Sequence, residues 1–285
     1  MSRRMRIYYY AVFGALGGLI GWQVSNVLGL SFARWIYLSD LVVGSLLGLA
    51  IGTMIGCAEG LVTQNLVQAL RAGAFAGGLG FVAGAIGLPL GEFLFQAVGA
   101  GWVGRVLGWA FFGLLLGVAE GITGRSQMWK GAIGGLAGGW IGGVFLEATR
   151  SWLNAPSIGK VAGLMLLGAS VGTLIALIVV LLSRAWLEVV SGKLKGTEFI
   201  LDKFMRAKGP NAILGSDALK ADVVLPDPDI APQHAILLGE GTHFSLKDMS
   251  PQGTFVNARK VSLARLADRQ RIRMGNTELV YHERR

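Results

Sequence analysis

Long apolar runs carrying glycines four residues apart fill the first 190 residues, and no other feature restricts the fold as much. Residues 44–60 read GSLLGLAIGTMIGCAEG, which puts Gly44, Gly48, Gly52, Gly56 and Gly60 in register. In water each glycine costs a helix roughly 1 kcal/mol relative to alanine. In lipid, helices gain nothing from hydrophobic association. They meet by van der Waals packing, and small residues let the backbones approach. Glycines at i, i+4 and i+8 share one helix face. Gly131, Gly135, Gly139 and Gly143 repeat the stripe, as do Gly134, Gly138 and Gly142 and, more briefly, Gly113, Gly117 and Gly121. These faces read as helix-packing surfaces. The functional alternative is a glycine-lined pore or an oligomer interface.

A membrane-crossing helix needs about 20 mostly apolar residues. Six segments qualify: 7–30, 41–62, 72–98, 101–123, 131–153 and 161–183. They fall into three similar hairpins with a period near 60 residues. GALGGLIG at 14, GAFAGGLG at 73 and GAIGGLAGG at 131 open the hairpins, and IGCAEGLV at 55 and LGVAEGIT at 116 close the first two. In the third, LLGASVGTLIALIVV aligns with LLGLAIGTMIGCAEG at an offset of 120, with Val179 in place of the glutamate. Three copies imply pseudo-threefold symmetry or a serial array, and the sequence leaves both open. The long first run, without an A-x-A site, reads as a span rather than a signal peptide.

Basic residues set the orientation. With the N-terminus inside, nine Lys/Arg (Arg3, Arg4, Arg6, Arg71, Arg125, Lys130, Arg184, Lys193, Lys195) flank inner ends and four (Arg34, Arg105, Arg150, Lys160) flank outer ones. This predicts a multi-pass protein of the cell membrane with both termini cytoplasmic. The net charge of +9 then suits anionic lipid, and no nucleic-acid partner is expected. Glu59 and Glu120 occupy matching positions near inner ends, while Glu92 and Glu147 lie near outer ends. Intramembrane acids raise a transport hypothesis, but positions near the interface favour helix pairing. The lone Cys57 excludes an intramolecular disulfide and a cysteine metal site.

Beyond residue 184 the pattern becomes short alternating strands between Gly, Pro, Asp and Asn breaks, which indicates an all-β sandwich. The expected domains are 1–184, membrane helices, and 185–285, a cytoplasmic sandwich. With almost no linker between them, the sandwich is expected to lie close to the membrane.

Four stretches in order, LEVVSGKLKGTEFIL, ILGSDALKADVVLPDPDIAPQHAIL, FSLKDMSPQGTFVNARKV and LADRQRIRMGNTELVY, resemble the forkhead-associated (FHA) domain. The resemblance implies an eleven-stranded sandwich that reads phosphothreonine through loops at one end. Where that family has Gly-Arg, this chain has Gly215-Ser216, and serine cannot supply a bidentate guanidinium. The family's Ser-Arg-x-His is Ala231-Pro232-Gln233-His234, and its Asn-Gly-Thr is Gln252-Gly253-Thr254. His234 and the second asparagine, Asn257, are kept. The resemblance thus implies a kept scaffold, a degenerate phosphate site and a peptide edge at Gly215, Ser216, Ala231, His234, Gln252, Gly253, Thr254 and Asn257. Lys220 is a candidate replacement cation. Arg269, Arg271 and Arg273 alternate and are expected on one strand face, where anionic lipid is a candidate ligand.

No Walker loop, metal-ligand spacing or nucleophile–base pair occurs, and His234, His243 and His282 all fall in or beside strands. The sequence therefore predicts no enzyme, metal or cofactor. It predicts a membrane-anchored interaction or scaffold module, in signalling, with a cytoplasmic protein or peptide partner, phosphorylated or not. The alternative is a glycine-lined channel or transporter regulated by its FHA-like domain. A subunit of a larger membrane assembly, joined through its glycine faces, is a third reading.

Overall fold

The computed structural model describes residues 2–28, 36–62, 66–99, 101–123, 128–152, 156–207 and 209–284, except for the side chains of Arg3, Glu59, Gln68, Thr123 and Pro156. Positions 30, 34, 125 and 153 of the expected spans and loops lie outside the described residues. The chain divides into a helical unit of residues 4–62 and 69–181 and a second unit that contains 182–285.

The helical unit has α1 (Arg3–Val27), α2 (Ile36–Val62), α3 (Leu66–Ala97), α4 (Trp102–Thr123), α5 (Met128–Trp152) and α6 (Pro156–Leu181). In lipid only intrahelical bonding satisfies every backbone group of such a segment. α2 to α6 each contain a stretch long and apolar enough to cross a membrane. Among the described residues these five helices meet that measure, and α1 does not. α1 begins in arginines, carries Tyr8, Tyr9 and Tyr10 and ends in Gln23, Ser25 and Asn26, which dilute its hydropathy.

The glycine faces meet backbones of neighbouring helices. A Cβ built on Gly17 would lie 2.6 Å from the Ile51 Cα, joining α1 to α2, and Gly52 meets Ala76 of α3. Gly91 and Gly108 pack α3 on α4, and Gly113, Gly117, Gly131 and Gly135 face one another between α4 and α5. Gly134, Gly138 and Gly142 face Ile175, Val171 and Leu167 of α6. Gly14 and Gly168 then press α1 against α6 and close the ring. Inside it, α4 touches both α2 and α6. Leu47, Ile51 and Ile55 of α2, Phe112 and Leu116 of α4, and Leu167, Val171 and Ile175 of α6 are all buried.

Three of the four glutamates are paired. Tyr10 Oη of α1 donates to Glu120 at 2.9 Å. Glu147 holds both Arg105 and Arg150 at 3.2 Å. Glu92 accepts from Gln96, whose carbonyl oxygen accepts from Tyr37. Glu59 lies in α2, and its side chain is outside the described ones. Cys57 Sγ donates to the Ala69 carbonyl of α3, a packing role.

The second unit is a two-layer sandwich. Its strands are β1 (Ala185–Val189), β2 (Glu198–Ile200), β3 (Ala212–Gly215), β4 (Val223–Val224), β5 (Ala235–Gly239), β6 (Phe244–Asp248), β7 (Thr254–Val256), β8 (Arg259–Val261), β9 (Leu263–Arg265), β10 (Arg271–Met274) and β11 (Thr277–Glu283). One sheet runs β2-β1-β11-β10-β7-β8 and the other β4-β3-β5-β6-β9. Alternate residues face inward. Leu187, Leu214, Leu237, Leu246, Ile272 and Leu279 fill the space between the sheets, with Phe244 edge-on to Tyr281. Burial pushes the Tyr281 phenol well above its usual pKa, aided by the carboxylate of Glu283, which accepts its proton at 2.8 Å.

Candidate functional site

The loops that follow β3, β4 and β6 meet where the sequence places the recognition edge. β3 ends at Gly215, and any Cβ there would collide with the Pro232 carbonyl, so only glycine lets the 231–233 loop lie against the strand end. Ser216 N–H donates to the Ala231 carbonyl at 3.1 Å, and the Ser216 hydroxyl donates to the Ile230 carbonyl at 2.7 Å. The hydroxyl at the family's arginine position is therefore turned into the protein.

His234, fully buried, links the loops. The Ala231 N–H donates to its Nδ1 at 3.2 Å. Nδ1 must then be bare, and in the neutral ring Nε2 carries the proton and donates to Ser250 Oγ at 3.1 Å. Burial is the main influence on this imidazole and holds its pKa below the usual histidine value, against the opposing pull of Gly253, Asp248 and Asp227. Ser250 Oγ also accepts the Gly253 N–H at 2.9 Å. Since it accepts twice, its own proton points away from both, and no acceptor for it occurs among the described residues.

Gly253 has φ +86°, a conformation suited to glycine. Thr254 is fully buried, and its hydroxyl donates to Asp248 at 2.8 Å. Asn257 and Ala258, with φ of 47° and 66°, form the tight turn between β7 and β8. The Asn257 side-chain carbonyl accepts the Arg271 N–H at 3.1 Å, which leaves its amide nitrogen exposed. The Gln252 side chain is exposed and makes no hydrogen bond among the described residues.

The eight candidate residues therefore separate by role. Gly215, His234, Gly253 and Thr254 brace the loops from within. Ser216 spends its N–H and hydroxyl on the Ala231 and Ile230 carbonyls, and Ala231 spends its N–H on His234. Gln252 and Asn257 present amides outward from opposite ends of β7, and only Gln252 stands at the edge formed by the loops after β3, β4 and β6. Lys220 pairs loosely with Asp217 at 3.8 Å. Sequence reasoning missed Ser250 and Lys260. The Lys260 side chain lies across Gly253, so that a built Cβ would sit 2.7 Å from its Nζ.

The arginine row needs correction. Arg269 precedes β10, at φ +64° in a turn beside Asp268, where its own N–H donates to the Tyr281 carbonyl and the Gln270 N–H donates to that of Ala267. Only Arg271 and Arg273 share the strand face. Arg271 pairs with Glu278 at 3.4 Å, and Arg273 stacks on Phe255 at 4.6 Å.

A second cluster locks the β10–β11 hairpin at the same end of the sandwich. Asp227 accepts from Asp229 N–H, from Asn276 N–H and from the Thr277 hydroxyl. Burial raises the pKa of this carboxyl, but the three hydrogen bonds outweigh it and hold the value below the usual carboxylate range. Asn276 also donates to Asp229.

Residues 188–284 match a family model described as inner membrane component of T3SS, cytoplasmic domain. The C-terminal domain of the chain is an FHA domain. No curated protein matches the chain. Among solved structures, the FHA domain of the CT664 protein from Chlamydia trachomatis is 31% identical, covers 36% of this chain and 100% of its own, and has a TM-score of 0.33. The FhaA FHA domain, solved with the intracellular domain of Rv3910, is 26% identical over 34% of this chain and 99% of its own, at a TM-score of 0.29. The cytoplasmic domain of the T3SS sorting platform protein PscD from P. aeruginosa is 24% identical over 35% and 80%, at a TM-score of 0.30.

Proposed function

We propose that this chain is a membrane-anchored interaction module whose FHA domain holds a cytoplasmic protein partner without reading phosphate. One observation carries this reading. The groups at the family's phosphate position face inward, with the Ser216 hydroxyl on the Ile230 carbonyl and the Ala231 N–H on His234. The bracing of the loops is intact. A phosphate dianion needs several convergent charge-assisted donors, whereas a peptide backbone needs only an amide such as that of Gln252. The matched family, an inner membrane component of T3SS, supports an anchoring role, and so do the apolar helices.

In this reading the helical unit spans the membrane six times, α1 included, with both termini cytoplasmic and a domain boundary near 184. It is built from three repeated hairpins. Ile51, Phe112 and Val171 sit at equivalent repeat positions and are all fully buried, which supports pseudo-threefold symmetry. The glycine faces are spent on packing between these helices, which favours an anchor over a conduit. Oriented peptide libraries presented to the full chain in nanodiscs test the proposal. A central phosphothreonine is expected to be retained no better than a central glutamate. Retention about tenfold better would overturn it.

A further inference from the structure

We propose that the loop face takes a peptide bearing a carboxylate side chain, held by the Lys260 ammonium and the Ser250 hydroxyl on either side of Gly253. This rests on the reading above that the face binds a peptide, and it names the chemistry of the residue recognised. The hydrogen-bonded thread runs from Ser216 to Ala231, His234, Ser250 and Gly253 without a break. Its end is where the two unspent donors stand. Ser250 Oγ accepts from both His234 and Gly253, so its proton is available to a ligand. Lys260 is exposed, lies across Gly253 and makes no ion pair or hydrogen bond among the described residues.

The donor set decides the class of anion. One ammonium and one hydroxyl match the two oxygens of a carboxylate, whereas the fork of a guanidinium, suited to phosphate, is missing at Ser216. Gln252, exposed on the same loop as Ser250 and Gly253, then reaches the peptide backbone beside the acidic residue. Lys260 is on the surface, so its pull on a ligand falls with added salt.

The test uses the full chain in uncharged phosphatidylcholine nanodiscs, so that lipid charge does not compete. Two oriented peptide libraries differ only in a central Glu or its neutral isostere Gln. The Glu library is expected to be retained about tenfold better, and Lys260→Gln to remove that preference while leaving the Gln library unchanged. Lys260→Arg should keep it, and 0.5 M NaCl should weaken it. Equal retention of the two libraries, or a Glu preference that survives Lys260→Gln, overturns the assignment of Lys260. Retention of neither library by a folded chain overturns the peptide-binding reading itself, which is a distinguishable result.

Discussion

Replacing Gly138 by alanine adds a single methyl group, yet the α5–α6 contact has no room for it. The new Cβ would lie 2.5 Å from the Val171 Cα and 2.8 Å from the Ser170 carbonyl oxygen. Carbon atoms rest at about 3.5–4.0 Å, so α5 and α6 must separate by about 1 Å. A gap of that size forfeits up to half of each dispersion contact, at about 0.1–0.2 kcal/mol per atom pair. The interface continues through Gly134 on Ile175 and Gly142 on Leu167, so the loss spreads along the stripe. With the strain of overpacking, about 1–3 kcal/mol, the expected destabilisation is about 2–4 kcal/mol. Gly78 supplies the control, since nothing lies within 4 Å of its built Cβ. Gly78→Ala should be neutral or favourable by up to about 1 kcal/mol through helix propensity. Thermal unfolding of both variants in nanodiscs should separate them by roughly 5 °C or more, at about 2–4 °C per kcal/mol. Coincident transitions would refute the packing argument.

Three further outcomes follow from the polar clusters. Tyr10→Phe removes the hydrogen bond to Glu120 and should lower the stability of the helical unit by about 1 kcal/mol, while Tyr8→Phe, on an exposed side chain, should not. The folded-state pKa of Asp227 is depressed, so its contribution is complete above the unfolded value of about 3.9 and is lost as pH falls through the folded value. Asp227→Asn should therefore flatten the acid side of the stability profile of the FHA domain below about pH 4, measured by its chemical denaturation. His234 is also depressed, and for a histidine this means the unfolded chain takes up the proton first. Its stabilising effect should fall as pH drops below about 6.5, and a slope in that window that persists in His234→Gln would contradict the assignment.

The sequence made the glycine faces legible because a four-residue spacing defines a helix face directly. It did not reveal which helix each face meets. Gly14 and Gly168 close the ring from opposite ends of the unit, and Tyr10 reaches Glu120 across 110 residues; no local pattern encodes such pairs. α1 shares the hairpin motif but not the hydropathy of the others, so motif and apolarity disagree there. In the FHA domain the alternating strands and the bracing His234 were readable. Arg269 was misplaced because alternation alone does not show where a turn with positive φ interrupts a strand. The roles of Thr254 and Asn257 were read as ligand contacts, whereas their side chains serve Asp248 and the β10 backbone. Ser250 and Lys260 escaped notice because their importance comes from flanking Gly253 in space.

The most direct test of the interaction module places a photo-crosslinking amino acid at exposed Gln252 of the full chain in native membranes, with exposed Lys203 as the control position. The account predicts a discrete protein adduct from position 252, absent from position 203, that persists when the membranes are treated with phosphatase beforehand. An adduct lost on phosphatase treatment would contradict it.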